Sequence, residues 1–291
     1  MIPAQFDYAR PPGIAEALQL LKQNAGEAKV LSGGYSLIPL LKLRLAQPAL
    51  LVDIRGLAGL DGIAETGGEL RIGGRATHSA IHRDPVIAAR YPLFHDASGG
   101  IGDPQVRNWG TIGGSCAHAD PSADWPAVLI AARGTLVCRS ADGERQIAAR
   151  DFFLDTFLTA IEPDELLVEI RVPAARPRSG GAYAKIERKT GDFATAGAAV
   201  QLTLGDGGNI EQAGVGLTAV AETAFAATDA EAVLTGAPPS EELFRRAGAA
   251  AAAQSRPAAD SHGPADYKRA MAGEMTVRAL RLAVARARGH A

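Results

Sequence analysis

Two short glycine-bearing segments carry the most chemistry in this sequence. Ser32-Gly33-Gly34-Tyr35-Ser36 lies between an apolar run, Ala28 to Leu31, and a helix-like run that begins at Leu37. Thr111-Ile112-Gly113-Gly114-Ser115 repeats the residue types far downstream. Glycine lacks Cβ, so the backbone can turn sharply there and approach a ligand closely. Successive N–H groups in such a turn face a concavity that suits an anion, helped by the positive end of a following helix. Ser32 and Ser36 add hydroxyl donors. Either segment alone is also what a tight turn looks like. Together they could clamp the two phosphates of one dinucleotide from opposite sides. Neither fits Gly-x-Gly-x-x-Gly, and Gly99-Gly100-Ile101-Gly102 lacks the third glycine, which disfavours an NAD-binding Rossmann fold.

The second segment is flanked by unusually polar stretches, Asp103 to Asn108 and Cys116 to Asp124. His118, Asp120 and Asp124 do not have the spacing of helical metal ligands, and Pro121 interrupts them, so a hydrogen-bonded wall is expected and no metal. The two cysteines, Cys116 and Cys138, cannot build a disulfide framework or a four-thiolate cluster. They read as small apolar residues, and any iron–sulfur cluster would sit on another chain. With 47 % hydrophobic and 21 % charged residues, the 291-residue chain has an ordinary globular composition. A net charge of -2 and 5 % aromatics argue against a nucleic-acid partner. No apolar run approaches the ~20 residues of a membrane span, and the N-terminus lacks signal-peptide character, so a cytoplasmic protein is expected.

The elements that must position these segments follow from periodicity. Ile14 to Gln23 has helical spacing, Ala28 to Leu31 reads as a strand, Leu37 to about Leu45 as a helix stopped by Pro48, and Leu50 to Ile54 as a buried strand. Alternating helix and strand implies a small α/β unit. Leu60 to Ile63 and Leu70 to Gly74 are strand candidates, a helix begins near Thr77 or Ser79, and residues 84–100 read as helix broken by Pro85 and Pro92. Asp124 to Ala132 is helical, while Thr135 to Cys138 and Leu166 to Val172 are strands. Pro173 to Gly181 is the strongest boundary signal. Beyond it, Ala194–Leu204 and Ile210–Val220 form a hairpin about Gly205 to Asn209, and an alanine-rich tail supplies two or three helices, with irregular chain at Ala250–Ala259 and Ser261 to Pro264.

In that context the sequence resembles the medium, FAD-binding subunits of the xanthine dehydrogenase and carbon monoxide dehydrogenase family. The matching stretches are Ser32 to Leu37 with Lys42-Leu43-Arg44, Ile72-Gly73-Gly74 with Thr77-His78, Gln105 to Ser115 continuing through Ala117 to Asp124, Asp192-Phe193-Ala194, and Asp266-Tyr267-Lys268-Arg269. The resemblance covers nearly the whole chain. It implies an α+β fold: a two-subdomain FAD-binding region of the vanillyl-alcohol-oxidase type over 1–177, divided at about 55, then a small antiparallel sheet with helices over 178–291. It implies FAD as cofactor, with its pyrophosphate on Ser32, Gly33, Gly34, Tyr35 and Ser36 and on Thr111, Ile112, Gly113, Gly114 and Ser115. Asp124 would hydrogen-bond FAD, Ile161 would border it, Lys185 would contact the flavin end, and Ile101 and Phe193 would lie near the isoalloxazine ring. Relatives often carry His at the place of Tyr35, Asp at that of Ser115 and Tyr at that of Phe193. Backbone donors survive such exchanges, so FAD binding is expected to persist.

The resemblance also implies a division of labour. A large subunit would carry the molybdenum cofactor, a small subunit two [2Fe-2S] clusters, and the complex would be a dimer of heterotrimers. This chain would pass electrons through FAD to a quinone, NAD or oxygen, with no catalytic residue of its own. A stand-alone FAD oxidase and a non-catalytic nucleotide-binding module remain as alternatives. Individual residues also have plain structural readings: Asp124 as a helix cap, Lys185 as a solvated strand residue, Phe193 as core, and Arg107 with Asn108 as loop supports.

Overall fold

In the computed structural model, which describes residues 1–289, three units each have their own sheet, and the core of the first is shared with Val137, Leu166 and Val168 of the second. The first holds β1 (Asp7–Ala9), α1 (Ile14–Gln23), β2 (Ala28–Leu31), α2 (Leu37–Lys42) and β3 (Leu50–Asp53), with a parallel sheet of order β1-β3-β2. The central strand β3 is buried along its whole length, as its unbroken apolar run requires. α1 turns Ala17, Leu18 and Leu21 inward at helical spacing. α2 stops short of the expected Leu45. Arg44 takes a left-handed φ of 57°, the Arg44 N–H donates to the Leu41 carbonyl at 3.0 Å, and the Leu45 N–H donates to the Leu40 carbonyl at 2.9 Å. That six-to-one and five-to-two pair closes the helix before Pro48 has any effect.

The second unit contains β4 (Ile63–Thr66), β5 (Glu69–Gly73), α3 (His78–Arg83), α4 (Pro85–Arg90), α5 (Pro92–Gly100), α6 (Pro104–Trp109), α7 (Ile112–His118), α8 (Asp124–Ala131), β6 (Thr135–Arg139), β7 (Glu144–Ala148), α9 (Ala149–Phe152), β8 (Phe153–Asp155), β9 (Leu158–Thr159) and β10 (Leu166–Pro173). Its antiparallel sheet has the order β4-β5-β10-β6-β7. The strand expected from Leu60 begins instead at Ile63, because the Leu60 and Gly62 carbonyls are taken by the N–H groups of Arg75 and Gly73. Pro85, Pro92 and Pro104 each open a helix at its first positions, where a missing N–H costs nothing. The polar stretch around the second glycine segment, expected to be an irregular wall, is mostly α6 and α7. These helices are short, and α6 buries none of its residues, so they leave no long apolar period to read. Asp103 caps α6 by accepting the Val106 N–H at 2.8 Å.

The third unit is the antiparallel sheet β11 (Ser179–Ile186), β12 (Ala196–Leu204), β13 (Ile210–Thr218) and β14 (Phe225–Ala226), covered by α10 (Thr228–Leu234), α11 (Glu241–Gln254) and α12 (Ala265–Ala287). α12 packs on β11 and β12, while α8 and α5 of the second unit pack on the sheet as well. α8 is therefore buried on every side. α11 continues to Gln254, through residues expected to be irregular. Alanine favours the helix, and Pro257 limits the chain only from Arg256 on.

Asp53 joins the ends of two strands of the first unit. Its carboxylate accepts from the Tyr8 hydroxyl of β1 and from the Arg55 N–H and guanidinium. Burial alone would raise its pKa, but the Arg55 and Tyr8 hydrogen bonds hold it at about 2, against an ordinary 3.8. A depressed folded pKa stabilises above the unfolded value and is lost as pH falls through the folded one. Asp53→Asn is expected to cost about 2 kcal/mol of unfolding free energy at neutral pH. Denaturant titrations of both proteins from neutral pH downward should converge as pH falls below about 4 and approaches 2.

Candidate flavin site

The two glycine segments touch each other. Ser32 Oγ and Thr111 Oγ1 lie 3.0 Å apart. A Cβ on Gly33 would stand 2.2 Å from the Trp109 carbonyl oxygen and 2.9 Å from Gly110 Cα, so only glycine allows this backbone contact. Gly34 has a φ of 88°, which turns the chain away from β2.

Their amide groups are used differently. In the second segment the Ile112 N–H donates to the Ala76 carbonyl at 3.0 Å and the Gly113 N–H to the Gly74 carbonyl at 2.9 Å. The Gly114 N–H donates to Thr111 Oγ1 at 3.1 Å, and the Ser115 N–H to the Thr111 carbonyl at 3.0 Å. The second segment is thus a capped helix start held inside the fold. Among the described residues, the N–H groups of Ser32 through Ser36 have no protein acceptor. A run of backbone donors without protein acceptors fits the oxygens of a diphosphate. Ser32 and Thr111 also line a cleft of about 440 Å³ between the first two units, together with Arg10, Arg55, Arg75, Thr77, Asn108 and Trp109. The Arg55 guanidinium lies 6.0 Å from the Trp109 ring centre. The cleft is basic and suits an anion.

A buried polar knot gathers more of the expected residues. Tyr183, Lys185 and Glu187 alternate along the end of β11 and so share one face. The Tyr183 hydroxyl donates to Asp124 Oδ1 at 2.5 Å. Lys185 Nζ donates to the Gly100 carbonyl at 2.9 Å and the Asp192 carbonyl at 3.3 Å, and pairs with Asp124 at 3.4 Å and Glu187 at 3.1 Å. Burial, followed by the nearby Asp124 charge, drives the Tyr183 pKa far up, so it remains a donor. Burial also raises the Asp124 pKa, against the pull of Lys185 and Tyr183. Asp124 does not cap α8: Ala123 is the capping residue, and no side chain bonds the free amides. Lys185 is buried rather than solvated, with side-chain exposure of 9 %.

The other expected residues fall near these two groups or apart from them. Ile101 ends α5, and its carbonyl and that of Gly102 accept from Arg107 Nη1 at 3.0 and 2.8 Å. Arg107 is therefore a support, as is Asn108, which accepts from Arg83. Phe193 is half exposed beside Asp192, not core, and Tyr35 is exposed. Ile161 follows β9 and packs on the core of the second unit, as Ile101 does. His118, Asp120 and Asp124 point to separate partners: His118 lies against Phe157, Asp120 accepts from the Ser122 N–H, and Asp124 belongs to the knot. Burial pushes the Cys138 thiol up to about 12 and raises Cys116 as well, so both are inert.

Sequence reasoning missed Tyr183 and Glu187 as members of the knot. Their signal was available, since polar residues at every second strand position mark one polar face. It also missed the buried prop behind the second segment. His78 Nδ1 accepts from Trp125 Nε1 at 3.0 Å, and the His78 N–H donates to the Gly110 carbonyl at 3.0 Å. Burial, and then the nearby Arg107, lowers the His78 pKa to about 3 and keeps the ring neutral.

The Gly33 contact yields a sharp test. Gly33→Ala must push Gly33 and Trp109 apart and is expected to cost about 1–3 kcal/mol while weakening cofactor binding. Gly143→Ala, where an added Cβ meets nothing within 4 Å, is the control. Thermal unfolding and FAD titration should separate the two variants; equal behaviour would contradict the close-contact account.

Residues 4–175 match the family described as the FAD binding domain in molybdopterin dehydrogenase, and residues 181–283 match the CO dehydrogenase flavoprotein C-terminal domain. The chain is 44 % identical to the carbon monoxide dehydrogenase medium chain of Hydrogenophaga pseudoflava, over 98 % of this chain and 99 % of that protein. It is also 44 % identical to the carbon monoxide dehydrogenase medium chain of Afipia carboxidovorans, over 99 % of this chain and 100 % of that one. Among solved structures, carbon monoxide dehydrogenase from Hydrogenophaga pseudoflava, in a form lacking the Mo-pyranopterin moiety, superposes with a TM-score of 0.95 at 46 % identity, covering 98 % of this chain and 99 % of that one. An open amide cradle, a basic cleft and full-length likeness thus agree, and the chain belongs to the family of FAD-binding medium subunits of molybdenum hydroxylases.

Proposed function

We propose that this chain relays electrons from [2Fe-2S] clusters on a small partner subunit, through FAD, to an external acceptor. A large partner subunit would hold the molybdenum cofactor and choose the substrate, and the assembly would be a cytoplasmic dimer of heterotrimers. In this reading the chain divides into an FAD-binding region, 1–177, and a C-terminal region, 178–291. The observation that carries it is the set of unpaired amides from Ser32 to Ser36, adjoining the basic cleft.

The roles of the side chains follow from their places. The Ser32–Ser36 amides would receive the diphosphate, and Gly113 and Gly114 would let the second segment close against it. The Thr111 and Ser115 hydroxyls would supply further donors there. When bound, FAD supplies the redox chemistry, taking up electrons and releasing them to an acceptor. The chain itself orients and insulates. The Asp124–Lys185 pair sets the local charge at the flavin end, Ile161 borders the cofactor, and Ile101 and Phe193 flank the ring.

The test is reconstitution. The purified chain should take up one equivalent of FAD to give a yellow complex that dithionite bleaches, yet oxidise no substrate alone. Absence of a reducible complex would overturn the cofactor reading. Turnover of carbon monoxide, an aldehyde or an N-heterocycle by the chain alone would overturn the relay reading.

A further inference from the structure

The knot around Lys185 has a member with two separate jobs. Glu187 follows the end of β11, on the same face as Tyr183 and Lys185. One carboxylate oxygen, Oε2, faces Lys185 Nζ at 3.1 Å. The other, Oε1, accepts the Gly191 N–H at 3.2 Å. Gly191 is pressed against the chain on the far side: a Cβ there would stand 2.7 Å from the Gly102 carbonyl oxygen, and its φ is 83°. One residue on, the Asp192 carbonyl is bound by the same Lys185 Nζ, which also holds the Gly100 carbonyl. The Phe193 N–H then donates to Asp192 Oδ1 at 3.0 Å.

Lys185 and Glu187 therefore fasten two segments to one another. One is Gly100 to Gly102, which carries Ile101. The other is Gly191 to Phe193. Arg107 pins the first segment from behind through the Ile101 and Gly102 carbonyls. Without Glu187, the second segment keeps the Asp192 N–H bond to the Lys189 carbonyl at 3.0 Å, the Lys185 contact to the Asp192 carbonyl and the exposed Arg188–Asp192 pair at 3.4 Å, but the Gly191 N–H loses its acceptor. Exposed pairs of that kind contribute little. A half-buried carboxylate that faces a lysine with one oxygen and accepts a backbone amide with the other is worth more.

We propose that Glu187 is a positioning residue that fixes the spacing between Ile101 and Phe193, and so the slot these two side chains leave for the flavin ring. Its meaning for the flavin rests on the FAD reading above, whereas the fastening itself belongs to the bare chain.

The two can be tested apart. Hydrogen exchange of the FAD-free chain is measured for wild type, Glu187→Ala and Glu187→Gln, with the β12–β13 hairpin as the internal reference for intact folding. Loss of a charge-assisted hydrogen bond corresponds to about ten-fold faster opening. Glu187→Ala should therefore speed exchange at Gly191 to Phe193 about ten-fold, and the Glu187→Gln carbonyl should restore most of the protection at Gly191. Exchange in Glu187→Ala within about two-fold of wild type would overturn the proposal. With FAD added, visible circular dichroism is compared at equal bound FAD. Glu187→Ala should change the flavin band shape more than Glu187→Gln does, and identical bands would overturn the link to the slot. A wild-type chain that takes up no FAD would defeat the cofactor reading, and the exchange result would still decide the role of Glu187.

Discussion

The diphosphate site proposed for this chain depends on one backbone contact, that of Gly33 with the Trp109 carbonyl and Gly110. The first unit has its own parallel sheet and the second its own antiparallel sheet, and the two share a buried core in which Val137, Leu166 and Val168 meet Leu18, Leu21 and Val52. A contact this close between main chains leaves few placements of one unit against the other. It brings Ser32 beside Thr111 and closes the cleft walls formed by Arg10 and Arg55 on one side and by Arg75, Thr77 and Asn108 on the other. It also explains why the two glycine segments are alike in composition yet unlike in use. One segment is anchored by its own amides to Ala76, Gly74 and Thr111, and the other keeps its amides open. An anchored wall and an open cradle make a more rigid receptor than two mobile turns would.

The second join is electrostatic. Asp124 begins α8, Tyr183 and Lys185 lie on β11, and Gly100 ends α5, so the knot ties the second unit to the third. Removing a lysine and two carboxylates from water costs several kcal/mol per charge, and only near-complete partnering offsets it. Most of that partnering is present: Lys185 has two carbonyls and two carboxylates around it and Asp124 accepts from Tyr183, while Glu187 Oε2 faces Lys185 without a hydrogen bond. Such a knot favours a single arrangement over a range of similar ones. That is what a relay requires, since electrons pass between groups held at fixed separations.

Much of this was legible in the residues. The alternating elements of the first unit, the helices opened by Pro85 and Pro92, the hairpin around Gly205 to Asn209 and the helical tail follow from periodicity and turn chemistry. The glycine segments suggested the anion site proposed above, and the full-length resemblance supplied FAD. What failed to show was mostly tertiary. α6 and α7 are too short to leave an apolar period, and α6 buries none of its residues. The early end of α2 depended on Arg44 adopting a left-handed conformation that no motif signalled. No sequence pattern says which of two similar glycine segments has its amides already taken, because the acceptors, Ala76 and Gly74, come from elsewhere in the chain. By strand alternation alone Lys185 reads as a surface residue, and only the resemblance pointed it toward the flavin, since Gly100 and Asp192 lie on other segments.

The most direct measurement is a crystal structure of the chain with FAD bound. The account predicts diphosphate oxygens about 3 Å from amide nitrogens between Ser32 and Ser36. It also predicts that the Ile112 to Ser115 amides keep their bonds to Ala76, Gly74 and Thr111. A diphosphate bound instead by the Ile112 to Ser115 amides, with those internal bonds broken, would contradict it.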